Sequence, residues 1–465
     1  MIRFGLFVLS AALCGSSLPA RERPAPQSSA PVPPARTATA DSHHESLLIF
    51  PFENGSKMAS LDWMGEGLAE ATAERLEDRQ VNVLSREDRL ATLERMGLPD
   101  SARFSHATII KIAGEADADD VVYGRFESDG KTATLEARVL HLNPPSLSAP
   151  LRESGAMSDL LRVQARLSWQ ILCALDKKQC PAQGSNRDES SFAEPPPSLT
   201  PEALQNFVHG LTGAEDDERL RSLREAARLE PAWDRPAFEL GQIYFKKRDC
   251  DSALVWYSRV PPNRPDGTEA SFATGVCHLA RNDPARANAA FTSLLERSRK
   301  SGEKGAAPEL PEMRNNLGVS LLRLGKWNEA SAEFERAAAI DSEDADYWVN
   351  IALSKLIGKQ APTAVAPLER ARKIDPDDKV ARSLLIATLE SLGRAPEVAA
   401  IRSEVPAENA DKAAQPNVQD AAVLSKLVRV SRTLDRTQIR PGDSPDRPST
   451  AGKGTRSPAA GGARP

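Results

Sequence analysis

The chain has 465 residues, with 60 lysines and arginines against 65 aspartates and glutamates and a formal net charge of −5. So balanced a charge offers no basic excess for a phosphate backbone and argues against a nucleic-acid binder. The length suits about three domains, and an aromatic content of only 5 %, with Ala, Leu, Glu and Arg dominating the middle and C-terminal parts, favours helices.

Residues 1–20 read as a signal peptide. Arg3 precedes the apolar run FGLFVLSAAL, too short to span a bilayer and suited to a signal core. Cleavage after Ala20 fits the pattern. The stretch AALC, ending at Cys14, resembles a lipoprotein processing site, although Leu13 stands where a small residue is expected. Export places the protein in the periplasm or cell envelope, with membrane association only if Cys14 is lipidated. Residues 21–45, rich in Pro, Ala and Ser, have the composition of a disordered tether.

The first folded body is expected over 46–178. SLLIFPF reads as a short buried strand. A helix follows, with Asp62 as its cap and Met64, Leu68, Ala71 and Leu76 along one stripe. VNVLS is a second strand, and helices are expected near 87–96 and 106–116, the latter with Ile109, Ile112, Ala113 and Ala116 on one face. A final helix opens at Ser158, with Leu160, Val163, Leu167, Ile171 and Ala174 along one side. The order β-α-β-α-β-β-α predicts one sheet with helices packed on it.

Within this body, YGRFESDGKTATLEARV raises the question of a phosphate loop. The motif needs four residues between its glycines and a helix after the lysine. Here five residues separate Gly124 from Gly130, and after Lys131 the side chains alternate: Ala133, Leu135, Ala137 and Val139 apolar, Thr134, Glu136 and Arg138 polar. A period of two is a half-buried strand, so SDGK is expected to be a hairpin turn, and no nucleotide is expected. DADD, 117–120, is either a cation-binding cluster or a solvated helix end.

LLIFPFENGSKMASLDWMGEGLAEATAERLEDRQVNVLSRED, with IAGEADADDVVYGRFESDGKTATLEARVLHLN after it, resembles the N-terminal domain of the TolB family. The likeness lies in a PF-x-N strand end, a gapped G-x-x-x-x-L helix, a V-x-V-x-x-R strand and an A-D-x-V-x-x-G step into a meander. It covers about 130 residues. The family's aromatic-acidic segment after the second meander strand is replaced here by PPSLSAPLRESG. The resemblance implies an α/β sandwich that serves as an envelope interaction module and carries no catalytic signature.

Residues 179–199 form a second linker, and 200–405 carry an internal repeat. Counting from Asp234, Gly241, Tyr244, Ala253, Tyr257 and Pro265 take positions 8, 11, 20, 24 and 32. Gly275, Ala287 and Phe291 follow in the next copy; Leu317, Gly318, Ala330, Phe334 and Ala337 in the copy from Pro311; Trp348, Ala364, Ala371 and Pro376 in the copy from Ala345. Degenerate copies flank these, one ending with Ala226 and Pro231, the other running VARSLLIATLESLG. The spacing is 34, 34, 43, 34, 34, with the nine extra residues in SRKSGEKGAAPEL. This pattern is identified as the tetratricopeptide repeat. About six helical hairpins are expected to stack into a solenoid with a concave groove. The fold class is therefore α+β followed by all-α. Residues 406–465 have few apolar residues and read as mostly disordered, with a possible short helix at 418–436.

No motif of catalysis appears. The six histidines are scattered without metal-ligand spacing, so neither metal nor cofactor is expected. Cys173, Cys180, Cys250 and Cys277 form no C-x-x-C pair; they are free packed thiols or the disulfides that an oxidising compartment permits. On an unbroken helix Cys173 and Cys180 lie about 10 Å apart, beyond the roughly 7 Å limit for a bridge. Free thiols are expected there unless the helix ends near Asp176.

The resemblance to tetratricopeptide proteins implies that positions 2, 5, 6, 9, 12 and 13 of each first helix face the groove. That selects Phe238, Phe272, Asn315 and Val349 at position 5, Asn316 and Asn350 at position 6, and Val319 and Leu353 at position 9. An amide ladder can pair with an extended backbone while apolar neighbours form pockets; alternatively, asparagine at position 6 only helps the repeat to fold. The expected function is a non-enzymatic scaffold or adaptor for a protein or peptide partner. The competing reading is an enzyme or ligand sensor with its site in the N-terminal α/β body.

Overall fold

The computed structural model of the chain describes residues 46–100, 103–176, 192, 199–264, 266–301, 309–403 and 416–434. The signal peptide, tether, most of the linker, Cys14, Cys180 and residues 435–465 lie outside the described residues.

The first part is one mixed sheet. Its strands are β1 (Ser46–Ile49), β2 (Glu53–Asn54), β3 (Asn82–Val83), β4 (Asp120–Ser128), β5 (Thr132–Leu142), β6 (Pro145–Leu147) and β7 (Leu151–Ala156). The order is β3-β1-β4-β5-β6, with β2 on β4 and β7 on β5. β1 runs parallel to β3 and β4, and β4 and β5 form the antiparallel hairpin.

Four helices belong to this part: α1 (Trp63–Glu77), α2 (Arg86–Arg95), α3 (His106–Glu115) and α4 (Leu160–Leu175). Successive residues of a strand face opposite sides, and β1 uses both. Leu47 and Ile49 join Met64, Leu68, Val163 and Leu167 of α1 and α4, while Leu48 joins Leu93, Ile109 and Ile112 of α2 and α3. This accounts for the unbroken apolar run from Leu47 to Ile49 in the first strand.

The hairpin is where the alternation places it. Ala133, Leu135, Ala137 and Val139 are fully buried. In the turn, Gly130 has φ +87°, and Asp129 Oδ1 accepts from the backbone N–H of Lys131 and Thr132 at 2.8 and 2.7 Å. Gly124 lies inside β4, and a Cβ there would sit 2.5 Å from the Phe52 ring; the glycine serves packing.

Three local expectations change. Asp62 does not cap α1; its carboxylate instead accepts from Asn54 Nδ2 at 2.6 Å. PPSLSAPLRESG supplies β6 and most of β7. The acidic run 117–120 begins as an exposed helix end, Asp117 terminating α3 at φ +56°, and then enters the sheet: Asp119 accepts from Ser46 N–H at 2.9 Å, and Asp120 pairs with His141 at 2.5 Å. These contacts tie the start of β4 to β1 and β5.

Cys173 is disulfide-bonded, which corrects the free thiol expected there. The helix stops two residues later, and Asp176 is extended at φ −138°, ψ 103°, so the unbroken-helix spacing does not apply. Its partner lies outside the described residues. Cys250 and Cys277 are free.

The second part is a run of helical pairs: α5 (Pro201–Thr212) with α6 (Asp216–Leu229), α7 (Arg235–Lys246) with α8 (Cys250–Tyr257), α9 (Gly267–Ala280) with α10 (Pro284–Ser301), α11 (Pro311–Arg323) with α12 (Trp327–Ile340), α13 (Ala345–Ile357) with α14 (Ala361–Ile374), and α15 (Lys379–Ser391) with α16 (Ala395–Ser403). Position 8 lies against position 24 in each well-formed pair. A Cβ would stand 2.5 Å from Tyr257 at Gly241, 2.5 Å from Phe291 at Gly275 and 2.6 Å from Phe334 at Gly318. Position 20, held by Ala253, Ala287, Ala330 and Ala364, is fully buried. From α7 onward each first helix ends on a left-handed residue: Arg248, Asn282, Gly325, Lys359 and Gly393. Those positions repeat the 34, 43, 34, 34 spacing read from the sequence.

The two parts share an interface. Ala71 and Leu161 pack with Leu204, Phe207 and Val208 of α5. Around that apolar seam, Arg235 pairs with Glu70 at 2.6 Å, and Arg264 pairs with Asp78 and Asp234 at 2.5 and 3.1 Å.

Candidate functional site: an occupied groove

The first helices α11, α13 and α15 line a concave face. Residues 416–434 of the same chain lie across it. A short helix, α17 (Ala421–Ser425), is followed by non-helical chain from 426 to 434. The helix considered for 418–436 is thus limited to five residues. The reason lies in the partners: beyond Ser425, backbone groups that a helix would satisfy internally are taken by side chains of the groove.

Asn350 clamps one residue. Its Oδ1 accepts from Arg429 N–H at 2.8 Å, and its Nδ2 donates to Arg429 C=O at 2.7 Å. Asn316 clamps the next residue but one, accepting from Ser431 N–H at 2.9 Å and donating to Ser431 C=O at 2.8 Å. Asn315 bridges the two, donating to Arg429 C=O at 3.1 Å and to Ser431 Oγ at 3.0 Å, and accepting from Asn350 Nδ2 at 2.8 Å. Each paired backbone group also fixes which end of the amide is oxygen. One repeat of the solenoid thereby matches two residues of nearly extended chain, about 6.6 Å.

Side chains add further contacts. The Arg429 guanidinium binds Asp346, at the start of α13, and Asp378, the cap of α15. Asp378 divides its carboxylate, Oδ1 capping Val380 and Ala381 N–H and Oδ2 taking Arg429. Burial works to lower the Arg429 pKa, but the two aspartates outweigh it and hold it above its usual value. Leu434 joins the apolar cluster of Phe272, Met313 and Val319, with Val428 and Val430 packed against it. Val418 and Leu424 anchor the preceding turn beside Val349 and Leu353. Burial pushes the Tyr347 hydroxyl well above its usual range, the acids Glu312, Asp344 and Asp341 adding to it against a hydrogen bond to Ser431.

The structure brings Asn315, Asn316 and Asn350 together on the tail. Val319, Val349 and Leu353 are fully buried in the apolar clusters beneath it. Phe272 shares a cluster with Leu434, but its ring faces Phe291 at a 5.8 Å centroid distance. Phe238 is not part of this constellation; it packs on Tyr257 at 6.4 Å in a separate cluster. Sequence reasoning missed Asp346, Asp378 and the occupant itself. Asp346 stands at position 2, one of the groove positions, and the alternation in LVRVS marks an unpaired strand.

The repeat pattern is matched independently. The family model described as Tetratricopeptide repeat matches residues 238–303 and 315–379. The helical part carries tetratricopeptide repeats. Among solved structures, the chain is similar to YrrB, described as a TPR protein with an unusual peptide-binding site, at 17 % identity over 38 % of this chain and 89 % of that one, TM-score 0.33. It is similar to PilW, described as a widely conserved type IV pilus biogenesis factor, at 16 % identity over 44 % and 93 %, TM-score 0.35. MamA from Desulfovibrio magneticus RS-1 aligns at 16 % identity over 39 % and 99 %, TM-score 0.34. No curated protein sequence matches the chain.

The α/β part has a cavity of about 730 Å³ beyond the end of β1, lined in part by Phe52, Arg89, Arg103, His106, Arg125 and Glu136. Its charges are already engaged at several points: Arg89 donates to Ile49 C=O at 2.9 Å and pairs with Glu66, and Arg125 pairs with Glu136 at 3.6 Å.

Proposed function

We propose that this protein is a non-enzymatic interaction scaffold of the cell envelope whose tetratricopeptide groove holds an extended polypeptide by its backbone. One observation carries the reading: two asparagines one repeat apart clamp both backbone groups of two residues that are two apart. Such a device binds chain irrespective of sequence and leaves specificity to the flanking acidic and apolar residues. The α/β part, by its resemblance to the TolB N-terminal domain, adds a second interaction module. Selection of displayed random decapeptides on the full chain tests the groove. Enriched peptides should lose binding to the Asn316→Ala/Asn350→Ala chain; peptides indifferent to both substitutions would sink the reading.

The 730 Å³ cavity favours a second reading, a small-ligand sensor in the α/β part, since such crevices form beyond the carboxyl ends of parallel strands. A metabolite screen by thermal shift, repeated with Arg103→Ala, separates the two. Export is tested by fractionation of cells carrying the full chain, with recovery in the cytosol counting against it.

A further inference from the structure

We propose that the groove is closed in cis, residues 427–434 standing in for a partner segment of the same chemistry: an extended chain with arginine between two β-branched apolar residues and serine after them. This rests on the reading of the groove as a peptide-binding surface.

The lining itself marks the seat as exchangeable. Asn315, Asn316 and Asn350 are fully buried and each donates its amide N–H to the tail backbone. Departure of residues 428–431 uncovers amides and the carboxylates of Asp346 and Asp378, groups that water satisfies. The fully enclosed apolar anchors lie outside the clamped residues, Val418 and Leu424 before them and Leu434 after, while Val428 and Val430 within them are only partly buried. The clamped stretch can therefore leave while the anchor at Leu424 holds.

The occupant defines what would replace it. The backbone clamps accept any residue except proline, which lacks the N–H. Selection falls on residue 429, whose side chain bridges carboxylates on two successive repeats; a planar guanidinium can divide itself between them, whereas a lysine ammonium is a point charge. Residue 431 must be small and polar, because its Oγ meets Asn315 Nδ2 at 3.0 Å beside the buried Tyr347 ring. Val428 and Val430 flank the arginine on the apolar floor. A segment Val-Arg-Val-Ser, or its isosteres, satisfies all of these.

A tethered segment competes at an effective concentration on the order of 1 mM. If the tail's own intrinsic Kd lies below about 0.1 mM, an outside peptide is then weakened at least ten-fold, by the ratio of that effective concentration to the tail's Kd. The probe is a fluorescein-labelled peptide of residues 426–434, KLVRVSRTL. It is titrated by anisotropy into the wild-type chain, the full chain with R429A and V430D, and that chain with Asn316→Ala and Asn350→Ala added. Binding should tighten at least ten-fold when the seat is vacated, vanish when the asparagines are removed, and weaken at least ten-fold when the peptide carries alanine for its first arginine. Equal, asparagine-dependent affinity for the wild-type and vacated chains overturns closure in cis and leaves the groove reading standing. Failure of the vacated chain to bind, with an unchanged melt, overturns the groove reading itself. Should R429A with V430D lower the melt, Arg429→Glu alone, reversed in charge beside Asp346 and Asp378, vacates the seat without touching its apolar floor.

Discussion

Replacing Asn350 with alanine removes three hydrogen bonds at once: both bonds to the Arg429 backbone and the one to Asn315 Oδ1. Only the two bonds to Arg429 join the solenoid to the tail, so at roughly 1 kcal/mol net for each the tail loses about 2 kcal/mol of docking free energy. If the tail stayed seated, the N–H of Arg429 would be stranded, at about 1–3 kcal/mol, while its C=O would keep the bond from Asn315 Nδ2. The cheaper response is for residues 427–434 to leave and hydrate. The loss of global stability is then capped by the free energy of docking, and the melt of α11–α16 should hardly move. Local opening should rise by about one and a half decades, since roughly 1.4 kcal/mol is ten-fold. Hydrogen–deuterium exchange of a peptide spanning 425–434 reads this directly. The expected result is exchange of the Arg429 and Ser431 amides about thirty-fold faster, with protection in α11 and α13 kept. Unchanged protection at 429 and 431 would refute the clamp, and loss of protection throughout α11 and α13 would show that Asn350 supports the repeat itself.

Gly318→Val should lower stability by about 2 kcal/mol or more, because its Cβ would stand 2.6 Å from the buried Phe334 ring; Gly114→Ala, with nothing within 4 Å of its Cβ, should instead gain about 0.5–1 kcal/mol from helix propensity, both read by denaturant midpoint. Lys359→Gly should stabilise by about 0.5–1 kcal/mol, since φ is +58° there and a side chain in the left-handed region costs about that much beyond glycine's own entropy; a lower midpoint would contradict it. Burial pushes Glu77 and Glu239 up to about 8, with Asp266 and Glu70 adding to it and Arg235 opposing. In the folded chain they keep protons that the unfolded chain releases above its ordinary carboxylate range, so this stability is full at acid pH and lost as pH rises through about 8. The melting temperature should fall between pH 5 and pH 8.5 (roughly the window these pKa values set), and Glu77→Gln with Glu239→Gln should flatten that slope; an unchanged slope counts against the assignment.

What the sequence by itself determined is local or periodic. Glycine, alanine and aromatic residues at fixed offsets dictate helical hairpins, because a Cβ at Gly241 or Gly275 would meet the ring at position 24 of the same repeat. Alternation from Ala133 to Val139, after Asp129-Gly130, dictates the hairpin, since a period of two has one buried face and the turn is built from its own residues. Groove candidacy at Asn316 and Asn350 was legible for the same reason: the repeat index fixes which face a residue occupies. The tertiary structure decided what meets that face. LVRVS has the pattern of a half-strand and no strand near it in sequence; its backbone partners lie 79 to 115 residues away. Likewise Phe238 and Phe272 hold the same repeat position, yet Phe238 is enclosed with Tyr257 while Phe272 shares its cluster with Leu434. Cys173 depended on where α4 stops, and the docking of α1 on α5 depended on Glu70 meeting Arg235 across 165 residues. Periodicity specifies the faces of elements; which faces meet depends on long-range packing, and no local offset encodes it.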